Sequence, residues 1–198
     1  MSENLNTRIT LIGRLRDRHD DGAWKEFAEY YKNYIFAVLK RLGVGVSDLE
    51  DQSQKVLLAL WEKLPEFDYR PEYCKFRTWM NRIIRNKVGH YFEKLQRYKN
   101  DEQRVELNRL NNDDKSEAEI YKIYEQEWKI HVAELAWAEL RNEFSESALK
   151  CFEELSKGRK AAELAEELDL KVNSVFVNRQ RVQERFHREI RKLNEELG

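Results

Sequence analysis

The stretch from Cys74 to Lys99, CKFRTWMNRIIRNKVGHYFEKLQRYK, does most to limit what this chain can become. At 3.6 residues per turn, Phe76, Met80, Ile83, Ile84, Val88, Tyr91 and Leu95 fall on one broad side of a helix. Arg82, Arg85, Asn86 and Gly89 fall on the other. The stretch carries eight basic residues, Lys75, Arg77, Arg82, Arg85, Lys87, Lys94, Arg97 and Lys99, against one acid, Glu93. Such a helix must bury one side against other elements, and it offers the opposite side to something anionic. Gly89 costs about 1 kcal/mol against Ala inside a helix, and among arginines it lets a bulky partner approach the backbone. Cations interleaved with Phe76, Trp79, Tyr91, Phe92 and Tyr98 suit nucleic acid, charges meeting phosphates and rings stacking on bases.

The rest of the chain supports a helical frame. With two prolines and seven glycines in 198 residues, and 37% charged residues, the composition is that of an all-α protein. The net charge of −1 says nothing about nucleic acid, so the local distribution carries that argument. Cys74 and Cys151 are isolated, which suggests neither a disulfide framework nor a metal site and fits a reducing cytoplasm. The opening MSENLNTRIT has no apolar signal core, and no apolar run approaches the length of a membrane span. A cytoplasmic protein without membrane contact is expected.

In chain order, Leu5 to Arg18 reads as a short helix with Ile9, Ile12 and Leu15 inward. Asp20 or Asp21 caps a longer helix whose stripe is Trp24, Phe27, Ala28, Tyr31, Ile35, Val38, Leu39 and Leu42, and Gly43 ends it. Ser47 and Glu50 have capping-box spacing at the start of the next helix, which turns Leu49, Val56, Leu57, Leu60, Trp61 and Leu64 inward and stops at Pro65. Asp48, Glu50 and Asp51 crowd its first turn. The macrodipole favours anions there, and an acidic docking spot for a basic protein is the functional alternative. Residues 65–75 form an aromatic loop leading into the basic helix. From Tyr98 to about Glu117 the chain is polar and reads as a linker.

Helical periodicity returns with Ile120, Tyr124, Trp128, His131, Leu135 and Ala138, where His131 reads as a core or boundary residue. Ser145 caps a short helix ended by Gly158. A second short helix spans Arg159 to Leu168, Asp169-Leu170-Lys171 forms a tight turn, and a long helix runs from about Val172 to Leu197. Two short helices, a turn and a long basic helix read as a helix-turn-helix with the last helix for recognition. Ser174, Asn178, Arg179 and Arg181 are expected near DNA, and Val175, Val182 and Phe186 are expected to pack inward.

Three stretches in order resemble one family. DLEDQSQKVLLALWEKLPEFDY (Asp48–Tyr69) is similar to D-x-E-D-x-x-Q-x-V-F-x-x-x-W-x-x-L-P-x-F-D. CKFRTWMNRIIRNK (Cys74–Lys87) is similar to G-S-F-R-x-W-L-x-x-I-x-R-N-x. AAELAEELDLKVNSVFVNRQRVQERFHREI (Ala161–Ile190) resembles a C-terminal helix-turn-helix. The pattern is that of bacterial sigma factors of the extracytoplasmic-function (ECF) type. The resemblance implies two small helical domains joined by a flexible linker: a region 2 domain over 1–99, a linker over 100–126 and a region 4 domain over 127–198. It implies that Asp48, Asp51, Gln54, Lys55 and Leu58 bind the β′ clamp helices of core RNA polymerase. It implies that Phe67, Tyr69, Lys75, Arg77, Arg82, Arg85, Asn86, Gly89 and His90 open and hold the −10 element. It implies that Lys171, Asn173, Ser174, Asn178, Arg179, Arg181 and Arg185 serve the −35 element, with the β flap nearby. An anti-sigma factor is a further candidate partner. The chain departs from the family pattern at Cys74 and Thr78, at His90, at Asp169 in place of a turn Gly, and at Lys171 in place of a Ser cap.

No Gly-rich phosphate loop, metal-ligand cluster or nucleophile–base pair is visible, so neither an enzyme nor a cofactor is expected. Two rivals remain. A stand-alone helix-turn-helix regulator would use residues 145–197, as a dimer on a palindrome, and leave Asp48–Asp51 idle. A nucleic-acid enzyme would rest on Glu50, Asp51 and His90, but adjacent acids diverge on a helix.

Overall fold

The computed structural model describes residues 11–17, 20–67, 75–97 and 115–197. They form a helical turn at 11–14 and seven helices: α1 (Asp21–Arg41), α2 (Leu49–Lys63), α3 (Phe76–Arg97), α4 (Glu117–Leu140), α5 (Glu146–Ser156), α6 (Ala161–Glu167) and α7 (Val172–Leu197). Single 3₁₀ turns, Val46–Asp48 and Leu64–Glu66, bracket α2. There is no strand among the described residues, and the fold is all-α. The chain divides into two compact units, one built on residues up to His131 and the other running from Val132 to Glu195.

In the first unit α1, α2 and α3 each bury one stripe. Phe27, Tyr31, Ile35, Val38 and Leu39 come from α1, Leu49, Val56 and Leu60 from α2, and Phe76, Met80, Ile84, Val88 and Phe92 from α3. Burial of each large side chain contributes about 1.5–3 kcal/mol. The aromatic members meet in tilted and edge-on pairs, such as Phe27–Tyr31 at 4.8 Å and Phe27–Phe76 at 5.8 Å. A buried hydrogen bond from the Tyr34 hydroxyl to Asn81 Oδ1 (2.9 Å) satisfies two polar groups inside this core, and burial pushes the Tyr34 hydroxyl well above its ordinary pKa.

The ends of α1 follow its sequence. Asp20 caps the start, its carboxylate accepting from the Ala23 N–H at 2.8 Å. Gly43 stands at φ +96° and closes a Schellman motif, with the Val44 N–H donating to Leu39 O. The expected Ser47–Glu50 capping box does not form. Asp48 is the N-cap of α2, no side chain caps it, and Glu50 reaches Lys32 on α1 instead, 2.9 Å away. On α3 the core place expected of Tyr91 belongs to Phe92; the Tyr91 side chain is half-buried and its hydroxyl turns to Asp48. At the chain's start Leu11 is buried with Leu15, and Ile12 is only half-buried.

The linker expected over 100–126 ends earlier. From Glu117 the chain is helical, and Ile120, Tyr124 and Trp128 are buried in the first unit. Trp128 packs edge-on to Tyr34 at 5.4 Å. The cause is the apolar spacing at 120, 124 and 128, which buries enough surface to order a segment that is otherwise charged. His131 is 4% exposed between the rings of Tyr34 and Trp128, as a core histidine.

The second unit has two apolar clusters. Cys151, Leu164, Ala165 and Val175 form one; Leu140, Ala148 and Val182, with Trp137, Phe152 and Phe186 against them, form the other. Ser145 caps α5, accepting from Ala148 N–H. Gly158 at φ +89° ends it. Asp169 at φ +52° ends α6, and the Leu170 N–H donates to Ala165 O at 2.8 Å in the same 6→1 pattern that closes α1. The turn then delivers α7 across α5 and α6, and Val175 and Val182 enter the core as expected.

Candidate nucleic-acid and protein interfaces

On α2, Asp51, Gln54, Lys55 and Leu58 are all exposed and lie at i, i+3, i+4 and i+7, one continuous face. Leu58 is 53% exposed there. Lys55 pairs with Asp51 along the helix, and the Gln52 amide donates to the same carboxylate at 3.0 Å. Asp48, half-buried at the head of this face, accepts a 2.8 Å hydrogen bond from Tyr91 on α3. That bond to a carboxylate and the ring's burial both raise the Tyr91 pKa, burial more. Glu50, expected in the acidic first turn, points to α1, and Lys32 holds its pKa below the usual carboxylate value. The face is therefore acidic at one end and apolar at the other.

Beside it opens a cleft of about 450 Å³ between α2 and α3, with Asp48, Asp51 and Lys55 on one wall and Lys87, His90 and Lys94 on the other. His90 is exposed, 3.3 Å from Glu93. Arg82, Arg85 and Asn86 are exposed on the outward face of α3, and an added Cβ at Gly89 would meet no heavy atom within 4 Å. Lys75 is exposed at the helix's start. These residues are brought together as the periodicity predicts.

Other expected site residues are placed differently. Phe67 is 9% exposed, stacked on Trp79 at 4.3 Å, with its carbonyl accepting from Arg16. It is a wall of the core, and its ring is not offered to a base. Arg77 turns away from the outward face. Its guanidinium lies 2.5 Å from Glu125 and 5.1 Å above the Trp128 ring, so it ties α3 to α4. Arg85 reaches Glu117 at 3.1 Å through water-exposed side chains, a weak contact. Tyr69 lies outside the described residues.

Lys171, just before α7, and Asn173 and Arg181 on it are exposed, and Ser174 is half-buried. Asn178 turns inward and hydrogen-bonds the Cys151 thiol, whose pKa burial raises. Arg179 is half-buried, its Nε enclosed without a hydrogen-bond partner. Arg185 is held by both oxygens of Glu143 (2.8 and 2.5 Å) and by Glu189 (2.6 Å). Glu189 is 3% exposed and also accepts from Lys192 at 3.2 Å. Sequence reasoning missed Phe176, Val177 and Gln180, which are exposed with Asn173 on one side of the helix. The wheel that set Val175 and Val182 inward, carried round by half a turn, locates them.

Among the described residues no cluster of His, Cys, Asp and Glu is arranged to hold a metal ion, and no helix is long and apolar enough to cross a membrane. Glu50 and Asp51 diverge, one to Lys32 and one to Lys55, and do not form a carboxylate pair.

Comparison with known proteins falls on the same elements. The sigma-70 region 2 profile matches residues 27–98, from α1 through α3. The ECF RNA polymerase sigma factor RpoE of Cereibacter sphaeroides is 28% identical over 79 residues, which are 40% of this chain and 42% of that protein. The solved structure of CnrH in complex with the cytosolic domain of CnrY aligns over 91% of this chain and 94% of its own, at 18% identity and a TM-score of 0.37. That superposition is too loose to argue from. The region 2 match covers the acidic–apolar face and the basic helix together, so over residues 27–98 the chain is similar to sigma-70 region 2, and it spans less than half the length of the curated relative it matches.

Proposed function

We propose that this chain gives core RNA polymerase its promoter specificity and starts transcription by recognising −35 and −10 elements. One observation carries the reading. Within a single unit, an exposed face of Asp51, Gln54, Lys55 and Leu58 stands beside a helix whose outward side is Arg82, Arg85, Asn86 and an uncrowded Gly89. The first face has the mixed acidic and apolar character of a protein hot spot, and Asp48 at its head belongs with it. The second has the cations and close-approach surface of a strand-binding helix. Lys75 and His90 extend that basic face, whereas Arg77 and Phe67 act from within by fixing α3. In the second unit, α7 is the recognition helix for the −35 element, with Lys171 and Arg181 toward phosphates. The chemistry of phosphodiester synthesis stays with the polymerase, and an anti-sigma factor would compete for the same faces.

The discriminating experiment is gel filtration of the full chain with purified core RNA polymerase. Co-elution in one complex is expected. A chain that ignores core polymerase and instead binds a palindromic duplex as a dimer would establish the stand-alone regulator.

A further inference from the structure

The outward side of α7 opposite the buried Val175 and Val182 presents Asn173, Phe176, Val177 and Gln180, spaced i, i+3, i+4 and i+7. Phe176 is 49% exposed and Val177 46%. They begin within two turns of the helix's start, where a helix-turn-helix reads base edges. Exposed Lys171 and Arg181 lie to either side of them in sequence, against one exposed acid on the same face, Glu184, a turn beyond Gln180, so the apolar pair sits nearer cations than acids, which suits a phosphate-lined groove. No Arg or Lys is among the four, and Arg and Lys are the usual partners of guanine O6 and N7. Asn and Gln pair instead with adenine N6 and N7, and apolar side chains meet the thymine methyl. The Gln180 amide donates to Glu184 at 3.0 Å, an exposed contact that can exchange for a base.

Resting on the −35 reading above, we infer that these four residues select A·T pairs in the upstream promoter element, with Phe176 and Val177 seated on thymine methyl groups. Specificity then comes from side chains that carry no charge, and the basic residues of α7 only position the helix.

The test uses the full chain bound to core RNA polymerase and a promoter library randomised upstream. Selected DNA should carry adjacent A·T pairs at the positions α7 covers. Replacing a contacted thymine with deoxyuracil, which removes only the methyl, should weaken wild-type binding about fourfold. Phe176→Ala, at an exposed position that leaves the core intact, should weaken binding to the thymine site and be indifferent to uracil there. Selected G·C pairs at those positions, or a wild type equally content with uracil, overturns this inference while leaving the −35 reading standing. No enriched upstream element at all overturns both.

Discussion

Asp51 and Glu189 are both acids on helices, and their surroundings give them opposite work. Asp51 is exposed and its only described partners, Lys55 and Gln52, are neighbours on its own helix. It can therefore be given to a partner protein at little cost to the fold. Asp51→Arg is expected to weaken binding to core polymerase by roughly thirtyfold, the scale of a hot-spot residue, with an unchanged melting temperature. Titration calorimetry against core polymerase checks this. Glu189 is buried, and burial alone would raise its pKa, but hydrogen bonds from Arg185 and Lys192 outweigh burial and hold it below the usual value. A carboxylate whose folded pKa is depressed stabilises the fold above its unfolded pKa of about 4.3, and that stability is lost as pH falls through the lower folded value. Glu189→Gln should lower stability at pH 7 by about 1–2 kcal/mol, since Arg185 stays partly in water, and should flatten the acid limb of the stability curve. Equilibrium urea unfolding at several pH values measures both. The same pairing makes Arg185 a structural cation, which its place in a run of basic residues conceals in the sequence.

At the scale of elements, caps and periodicity were readable wherever they act locally. Asp20 and Ser145 start their helices and Gly43 and Gly158 end theirs as expected, because each needs only its own backbone. The capping box at Ser47 and Glu50 failed because a lysine on α1 competes for Glu50, and no pattern within α2 reports that. Arg77 was misplaced for the same reason, its partners Glu125 and Trp128 being about fifty residues away. Asp169 offers a clean test of local backbone chemistry. At φ +52° it sits in the left-handed region, which costs a non-glycine residue roughly 1–2 kcal/mol, less for Asp. Asp169→Gly should raise the melting temperature of the second unit, and Asp169→Val should lower it. The basic helix gives a sharper test. Gly89→Leu meets open space and replaces a poor helix former, so thermal stability should hold or rise by up to about 1 kcal/mol. The same side chain should keep a DNA strand from the backbone, leaving the −10 thymines unreactive to permanganate while core binding persists.

For the whole molecule, the order of the helices was legible in the sequence. An acidic helix start and a basic helix precede two short helices, a turn and a long helix, and α2, α3, α5, α6 and α7 occupy those places. The end of the linker was legible in part. The spacing of Ile120, Tyr124 and Trp128 marks a helix from about Glu117, whereas the family pattern carries the linker to 126; Tyr124 and Trp128 pack against Asn81 and Tyr34, partners far away in sequence that composition does not report. Run-off transcription on a promoter library, with purified core polymerase and the full chain, decides whether the chain directs polymerase to promoters. Transcripts from defined start sites are expected only when the chain is present and are expected to be lost with Asp51→Arg. Transcripts that are the same with and without the chain, or that survive Asp51→Arg undiminished, rule the promoter-directing reading out.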